Sequence, residues 1–257
     1  MLNKNQLLEE SKVLTPKIFK LNLPLIKSLL KGSRNSSGRN NLGKITVYHK
    51  GGGHKKRYRK IDFRQNLSST SIITSIEYDP NRNCSIVSIY DLVSKVYKYK
   101  LAPKGSCIGD IIKTGTQAEL RLGHSMLFKK IPIGSCLHCV SLKNDANGII
   151  SRAAGTFSIL RSKTSLLAEV KISSGKVIDV PLSSYAAFGA VSNNTDKITV
   201  SRKAGRSRWK NIRPTVRGVA MNPIDHPHGG GEGKTSGGRT SVTPWGKPGK
   251  GKKTASY

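Results

Sequence analysis

Of the net charge of +31 carried by this chain, 21 charges sit in two blocks, residues 31–64 and 201–257. Like charges at that density oppose compaction, so these blocks need a polyanion to complete them. The stretch between them, residues 65–200, is net +7 over 136 residues and reads as an ordinary folded body. A chain divided this way folds its middle and offers its flanks to nucleic acid, an anionic membrane or an acidic protein. With 257 residues, 36% of them hydrophobic, there is material for a modest core and one or two domains. No apolar run approaches the roughly 18–20 residues of a membrane span. Residues 1–30 lack the apolar region and cleavage site of a secretory signal. They are also unlike a cleaved transit peptide, since Glu9 and Glu10 come early and the first arginine is Arg34. Four cysteines are too few for a disulfide scaffold, which points to a reducing compartment.

The last block holds 11 of the 26 glycines and 5 of the 11 prolines, and its apolar residues follow neither a 2-residue nor a 3.6-residue period. Such a segment buries too little surface to offset its own ordering, so an extended tail ordered against a partner is expected. The body reads as β from residue 43. Strands are expected over 44–49, 59–63, 71–78, 84–90 and 95–101. In the last of these Tyr97, Tyr99 and Leu101 share one face and Lys98 and Lys100 the other. Five short strands with tight turns suit a small barrel. A second set follows near Ile111, with strands over 125–128, 136–142, 156–161, 166–172 and 176–180 and a hairpin turn at Ser174-Gly175. Residues 185–191 read as a short helical turn, and 5–11 and 23–31 as N-terminal helical signals. The division expected is an N-terminal extension (1–40), a first barrel (41–108), a second barrel (109–200) and a basic tail (201–257).

Four motifs carry the chemistry. The first is His49-Lys50-Gly51-Gly52-Gly53-His54-Lys55-Lys56-Arg57-Tyr58-Arg59-Lys60, read as a loop on a barrel rim. Three glycines let backbone approach backbone and turn N–H groups toward phosphates, while the cations neutralise them. The second, residues 201–217, carries Arg202, Lys203, Arg206, Arg208, Trp209, Lys210, Arg213 and Arg217. Gly205 and Pro214 interrupt it, which favours a strand threading through folded RNA over a recognition helix in DNA. The third runs from Met221 through Asn222, His226, His228, Gly229, Gly230 and Gly231 to Lys234 and Thr235. Its Gly-Lys-Thr ending resembles a phosphate-binding loop, but the required upstream glycine falls on His228 and no helix follows. A metal site on His226 and His228 lacks a third histidine, and a base at His226 lacks a nucleophile. A rigid loop whose imidazoles bond phosphate or ribose remains. The fourth, Cys136-Leu137-His138-Cys139, is a lone pair whose strand alternation sends the two thiols to opposite faces.

In sequence order the chain reads SGRNN, HKGGGHKKRYRKIDF, EYDPNR, LAPKG, IPIGS, RAAGTF, the basic run 202–217, RGVAMNPIDHPHGGGEGK and VTPWGKP. This series resembles the large-subunit ribosomal protein L-two family over residues 34–253. The resemblance implies a mainly β fold: an oligonucleotide-binding (OB) barrel, then an SH3-like barrel, with extended basic N- and C-terminal segments. It implies a non-enzymatic primary binder of large-subunit rRNA near the subunit interface and the peptidyl-transferase region. Other large-subunit proteins and the small subunit would be its neighbours. No membrane and no cofactor are implied, Mg2+ entering only through bound rRNA. The family's much-discussed histidine corresponds to His226, with an architectural role, and family members usually keep His138 without the flanking cysteines.

The residues expected to meet rRNA are Arg39, Asn40 and Asn41, the run from His49 to Arg59, and Arg202, Lys203, Arg206, Arg208, Trp209, Arg213 and Arg217. Asn222, His226, His228, Gly229, Gly230, Gly231, Lys234, Arg239 and Trp245 complete the set. Compared with bacterial relatives, the start (LNLPLIKSLL) is more apolar and the final basic stretch is shorter. The stretch 232–239 and VTPWGKP resemble the alphaproteobacterial and mitochondrial branch, so a mitochondrial ribosome is expected, with a bacterial cytoplasm or a plastid as the alternative. A nucleotide-dependent enzyme on the HPHGGGEGKT loop and a generic polycationic nucleic-acid binder are the competing functions.

Overall fold

The computed structural model describes residues 26–33, 35–65, 67–143 and 147–251. The chain divides into two compact units, one drawn from Met1–Arg34 and Lys55–Val200 and the other from Asn35–His54 and Ser201–Tyr257.

The first unit is almost entirely β. A two-stranded ribbon pairs β1 (Leu30–Ser33) antiparallel with β2 (Lys56–Arg59). A ten-stranded sheet contains β3 (Ser69–Glu77), β4 (Ile86–Asp91), β5 (Tyr97–Leu101), β6 (Ile111–Thr114), β7 (Ser125–Leu127), β8 (Cys136–His138), β9 (Ser158–Lys163), β10 (Leu167–Lys171), β11 (Val177–Pro181) and β12 (Tyr185–Phe188). Their order across it is β11-β10-β9-β8-β12-β7-β6-β3-β4-β5. The sheet falls into two sets joined by one parallel pair, Thr114 with Ser125. Register shifts between Ile73 and Ser75 and between Glu169 and Val170 bend each set, as barrel strands require.

Each set closes on its own apolar cluster. Phe128, Ile131, Leu137, Leu160, Val170 and Val180 fill the second. In the first, β4 is buried on both faces. Val87 and Ile89 pack with Ile73 and Ile112, while Ile86 packs with Tyr99, Leu101 and Val191. The alternation read in β5 holds, with Tyr99 and Leu101 both buried. Tyr99 then has to satisfy a buried hydroxyl, which donates to Glu77 Oε2 at 3.0 Å and accepts from the Ile26 N–H at 3.2 Å. The hairpin turn at Gly175 forms with φ of +90°, where a side chain would be strained.

Four local expectations are corrected. The strand expected over 59–63 lies earlier, as β2, and beyond it Ile61 makes a single bridge to Tyr99. Residues 44–49 form no strand: Ile45 makes one bridge to Arg39, and Ile45, Val47 and Tyr48 are all exposed, so the β-branched residues have no face to bury. Residues 185–191 are not helical. Tyr185, Ala186 and Ala187 are buried in β12 between β7 and β8, and burial on both sides overrides alanine's helix preference. Within 23–31 the described part is a 3₁₀ turn, Lys27–Leu29, running into β1. The expected helix over 5–11 lies outside the described residues.

Polar groups inside the first unit are bonded in ways that set their protonation. His138 donates from Nδ1 to the Gly189 carbonyl at 3.0 Å, and burial pushes its pKa down to about 4. Lys100, near a small cavity of about 30 Å³ lined also by Gln65, His138 and Cys139, is lowered by burial to about 8. Burial pushes Asp91 upward, but bonds from Ser94 and Lys98 and from the Val93 and Ser94 N–H groups outweigh it and bring the carboxyl to about 2.

Candidate nucleic-acid interface

The second unit brings together sequence stretches that lie far apart. Lys50 forms an antiparallel bridge with Ile212, flanked by the Gly51 N–H donating to the Asn211 carbonyl at 2.8 Å and the Arg213 N–H donating to the His49 carbonyl at 2.9 Å. The first two basic motifs are therefore stitched to each other. Gly53, with φ of +56°, lies so close to the Asn211 side chain that a Cβ would collide with it. Asn211 itself takes φ of +64°, a conformation asparagine tolerates better than most residues. The Asn35 side-chain amide donates to the Gly51 and Gly52 carbonyls and closes the loop from its other side.

Ahead of this loop, Asn40 organises a small hairpin. Its side-chain oxygen accepts from the Leu42 and Lys44 N–H groups, both at 3.0 Å, and Arg39 bridges Ile45. Arg39, Asn41 and Lys50 are exposed on it. The unit as a whole, residues 35–54 and 201–257, carries 16 Lys and Arg against Asp225 and Glu232. Arg202, Lys203, Arg208, Arg213, Arg217, Lys234 and Arg239 are exposed, and Arg206 is half-buried. Trp209 and Trp245 are also exposed. The Lys203 ammonium sits 4.6 Å from the ring centre of Trp209, and Tyr48 lies 6.3 Å from Trp245. Cations beside open aromatic faces are the groups that hold phosphates and stack unpaired bases.

One element was not expected in the basic run: a five-residue helix, α1 (Gly205–Trp209). Gly205 opens it and it stops well before Pro214, so the residues that argue against a long helix permit one turn. Elsewhere in 201–251 the backbone is made of turns, bends and short extended pieces, with a 3₁₀ turn at Gly218–Ala220.

The third motif folds upon its histidines, the two buried residues among the described part of 201–251. His226 Nδ1 accepts the His228 N–H at 3.0 Å, and the two rings stack with centres 5.2 Å apart. His228 Nδ1 faces the Ser236 carbonyl at 3.1 Å and must carry the hydrogen, while Nε2 accepts the Val242 N–H at 3.0 Å. Both ring nitrogens of His228 are thus occupied by backbone. Through these two bonds the ring braces the loop. A Cβ on Gly218 would lie 2.5 Å from the His226 ring, so glycine there admits the ring. Gly229 donates to the His226 carbonyl at 2.8 Å and Gly230 to the Met221 carbonyl at 3.1 Å. These two amides are committed within the loop, and no helix follows among residues 235–251, which removes the nucleotide-loop reading. The Gly51 N–H is likewise bonded within the chain, to the Asn211 carbonyl.

The basic run that begins at His49 splits at its middle. His49, Lys50, the three glycines and His54 belong to the second unit, whereas Lys55, Lys56, Arg57, Tyr58 and Arg59 belong to the first. In β2, Arg57 and Tyr58 are exposed and Lys56 is half-buried. Arg59 is 7% exposed, and its guanidinium is turned to the Arg57 carbonyl at 3.1 Å. The cysteines diverge as expected, Cys136 exposed and Cys139 buried, and no group of three metal-ligating side chains occurs among the described residues. No described helix is long and apolar enough to cross a membrane. The positioning residues Asn211, Gly218, Ser236 and Val242 escaped sequence reading, because each acts through its backbone or its smallness; the Asn between cations at 211 was the one available signal.

Two family models match. Ribosomal Proteins L2, RNA binding N-terminal domain, covers residues 26–114, and Ribosomal Proteins L2, C-terminal domain, covers residues 121–246. The two β sets accordingly fit an OB barrel followed by an SH3-like barrel. Among similar proteins, the large ribosomal subunit protein uL2 of Wolbachia sp. subsp. Drosophila simulans (strain wRi) is 50% identical over 228 residues, 89% of this chain and 83% of that protein. The uL2 of Rickettsia peacockii (strain Rustic) is 50% identical over 230 residues, 89% and 84% of the two chains. With both halves matched and half of all aligned positions identical, the chain belongs to the ribosomal protein L2 family.

Proposed function

We propose that this protein is a structural, non-enzymatic constituent of a large ribosomal subunit and binds its rRNA through the second unit. The observation that carries this reading is the stitching of the triple-glycine loop to the Asn211–Arg213 backbone. It gathers two basic motifs on a unit with 16 cations and two acids. Such a surface lowers the repulsion between rRNA helices that approach each other, and its exposed tryptophans offer stacking faces. The buried His226–His228 pair serves as scaffold for that surface. The finer placement proposed is near the subunit interface and the peptidyl-transferase region, with other large-subunit proteins and the small subunit as neighbours. Any Mg2+ would belong to the bound rRNA. The 232–239 and VTPWGKP sequences support a mitochondrial ribosome; the relatives named above are bacterial, and a bacterial or plastid ribosome is the competing outcome.

Cofractionation tests the proposal. The protein should travel with large subunits of the mitochondrial matrix and leave them at high salt. With about 6–10 phosphate contacts, affinity for rRNA should fall about 10³–10⁵-fold between 50 and 200 mM salt. A salt-insensitive complex, or absence from the large subunit, would overturn it.

A further inference from the structure

The first unit carries a groove of about 460 Å³ that the rRNA-contact residues named above do not reach. It runs between the segment Lys60–Arg64 and the edge strand β5, which touch where Ile61 bridges Tyr99 and the Asp62 N–H donates to the Tyr99 carbonyl at 2.8 Å. Two aromatic rings line it, Phe63 and Tyr97, and each is braced by another side chain. The Arg152 guanidinium lies 3.8 Å from the centre of the Phe63 ring, and Tyr90 packs 4.9 Å from Tyr97. Lys60 and Arg64 stand exposed on the lining together with the Asn147 amide, while the neighbouring Lys98 is neutralised by Asp91 at 2.9 Å. Tyr97 is 40% exposed and Val96 52% exposed, an open apolar wall in a strongly cationic chain.

We propose that this groove receives an unstacked nucleotide of single-stranded RNA. Its base would lie on the Tyr97 ring, its phosphates against Lys60 and Arg64, and the Asn147 amide would stand within reach of the base edge. A purely apolar partner would leave two cations and an amide at its edge without counterparts. A double helix keeps its bases stacked on one another and offers none to an aromatic ring. Rings already held from behind lose little freedom on stacking, and phosphate complementarity comes from the two cations. The inference rests on the rRNA-binding reading above and adds a second, base-dependent site to it.

The test uses the full chain and two probes with the same phosphates: a tetra-adenylate RNA and its abasic counterpart, followed by fluorescence anisotropy. The wild-type protein should bind the base-bearing probe about 5- to 150-fold more tightly, the range for stacking one base on an aromatic ring. In a chain carrying Trp209→Ala and Trp245→Ala, which removes the stacking faces of the second unit, Tyr97→Ala should abolish that preference without weakening the abasic probe, and Tyr97→Phe, which keeps the ring, should retain it. Lys60→Ala with Arg64→Ala should flatten the salt dependence of the base-bearing probe. Equal binding of the two probes by the wild type, or a preference that survives Tyr97→Ala in the chain without Trp209 and Trp245, would overturn the groove assignment. If the preference holds while the protein fails to cofractionate with large subunits, the ribosomal reading fails and the groove does not.

Discussion

The two units are held together by different physics. In the first, apolar side chains such as Phe128, Ile86 and Leu160 are fully buried, and buried polar residues such as His138 and Asp91 are held by hydrogen bonds. In the second, the buried residues of the tail are two histidines, and order comes from backbone bonds, glycines that admit close approach and an asparagine-capped turn. A hydrophobic core excludes water and needs no partner. A lattice of backbone hydrogen bonds in water gains little net free energy per bond, so it shapes a surface that its ligand then stabilises. The difference shows how a chain of +31 keeps one part self-sufficient and concentrates cations on the other, the part proposed above to meet rRNA.

The comparison is broken most severely from the core side. Phe128→Ala should cost about 3–5 kcal/mol in chemical denaturation, since the ring is wholly buried and leaves a cavity. The same measurement on His228→Ala should leave the main transition in place. Next in size is a pH effect confined to the first unit. Because burial holds His138 at about 4, below its ordinary value near 6.5, the unfolded chain takes up a proton before the folded one does. The stability from keeping the ring neutral is therefore complete above pH 6.5 and is lost as pH falls toward about 4. It amounts to about 3 kcal/mol and should flatten in His138→Gln.

Smaller effects probe the second unit. His228→Ala strands the Val242 N–H and the Ser236 carbonyl, a local loss of about 1–3 kcal/mol. Hydrogen exchange at the Val242 amide should accelerate by the corresponding factor while core amides stay protected. Gly229→Ala should open the same loop, because its methyl would run into the Asn222 carbonyl. Smallest in stability is Arg213→Ala. It should move the unfolding midpoint by less than about 0.5 kcal/mol yet reduce the salt slope of rRNA binding by about one. A slope unchanged by that substitution would remove Arg213 from the interface.

Most of the first unit was legible in the sequence, because half-buried strands impose a two-residue period, as Tyr97, Tyr99 and Leu101 do. Where burial is two-sided the signal vanishes, which is why Tyr185-Ala186-Ala187 reads as helix and folds as a central strand. The charge blocks pointed to the interface, but charge carries no information about depth. Nothing in Lys-Arg-Tyr-Arg-Lys distinguishes buried Arg59 from exposed Arg57. The histidine loop was legible as rigid, not as self-contained, since its closure needs Ser236 and Val242, neither of which carries a motif.

The bridge between Lys50 and Ile212 joins residues about 160 positions apart, and this gives the protein a built-in order of assembly. As the chain leaves a translating ribosome, the triple-glycine loop emerges early and lacks its Asn211–Arg213 partner until nearly the whole body has been made. Contacts of such long range form late and slowly, because closing so large a loop comes before any gain from the contact. The body can complete its own barrels in that interval. The second unit is then the last part to mature.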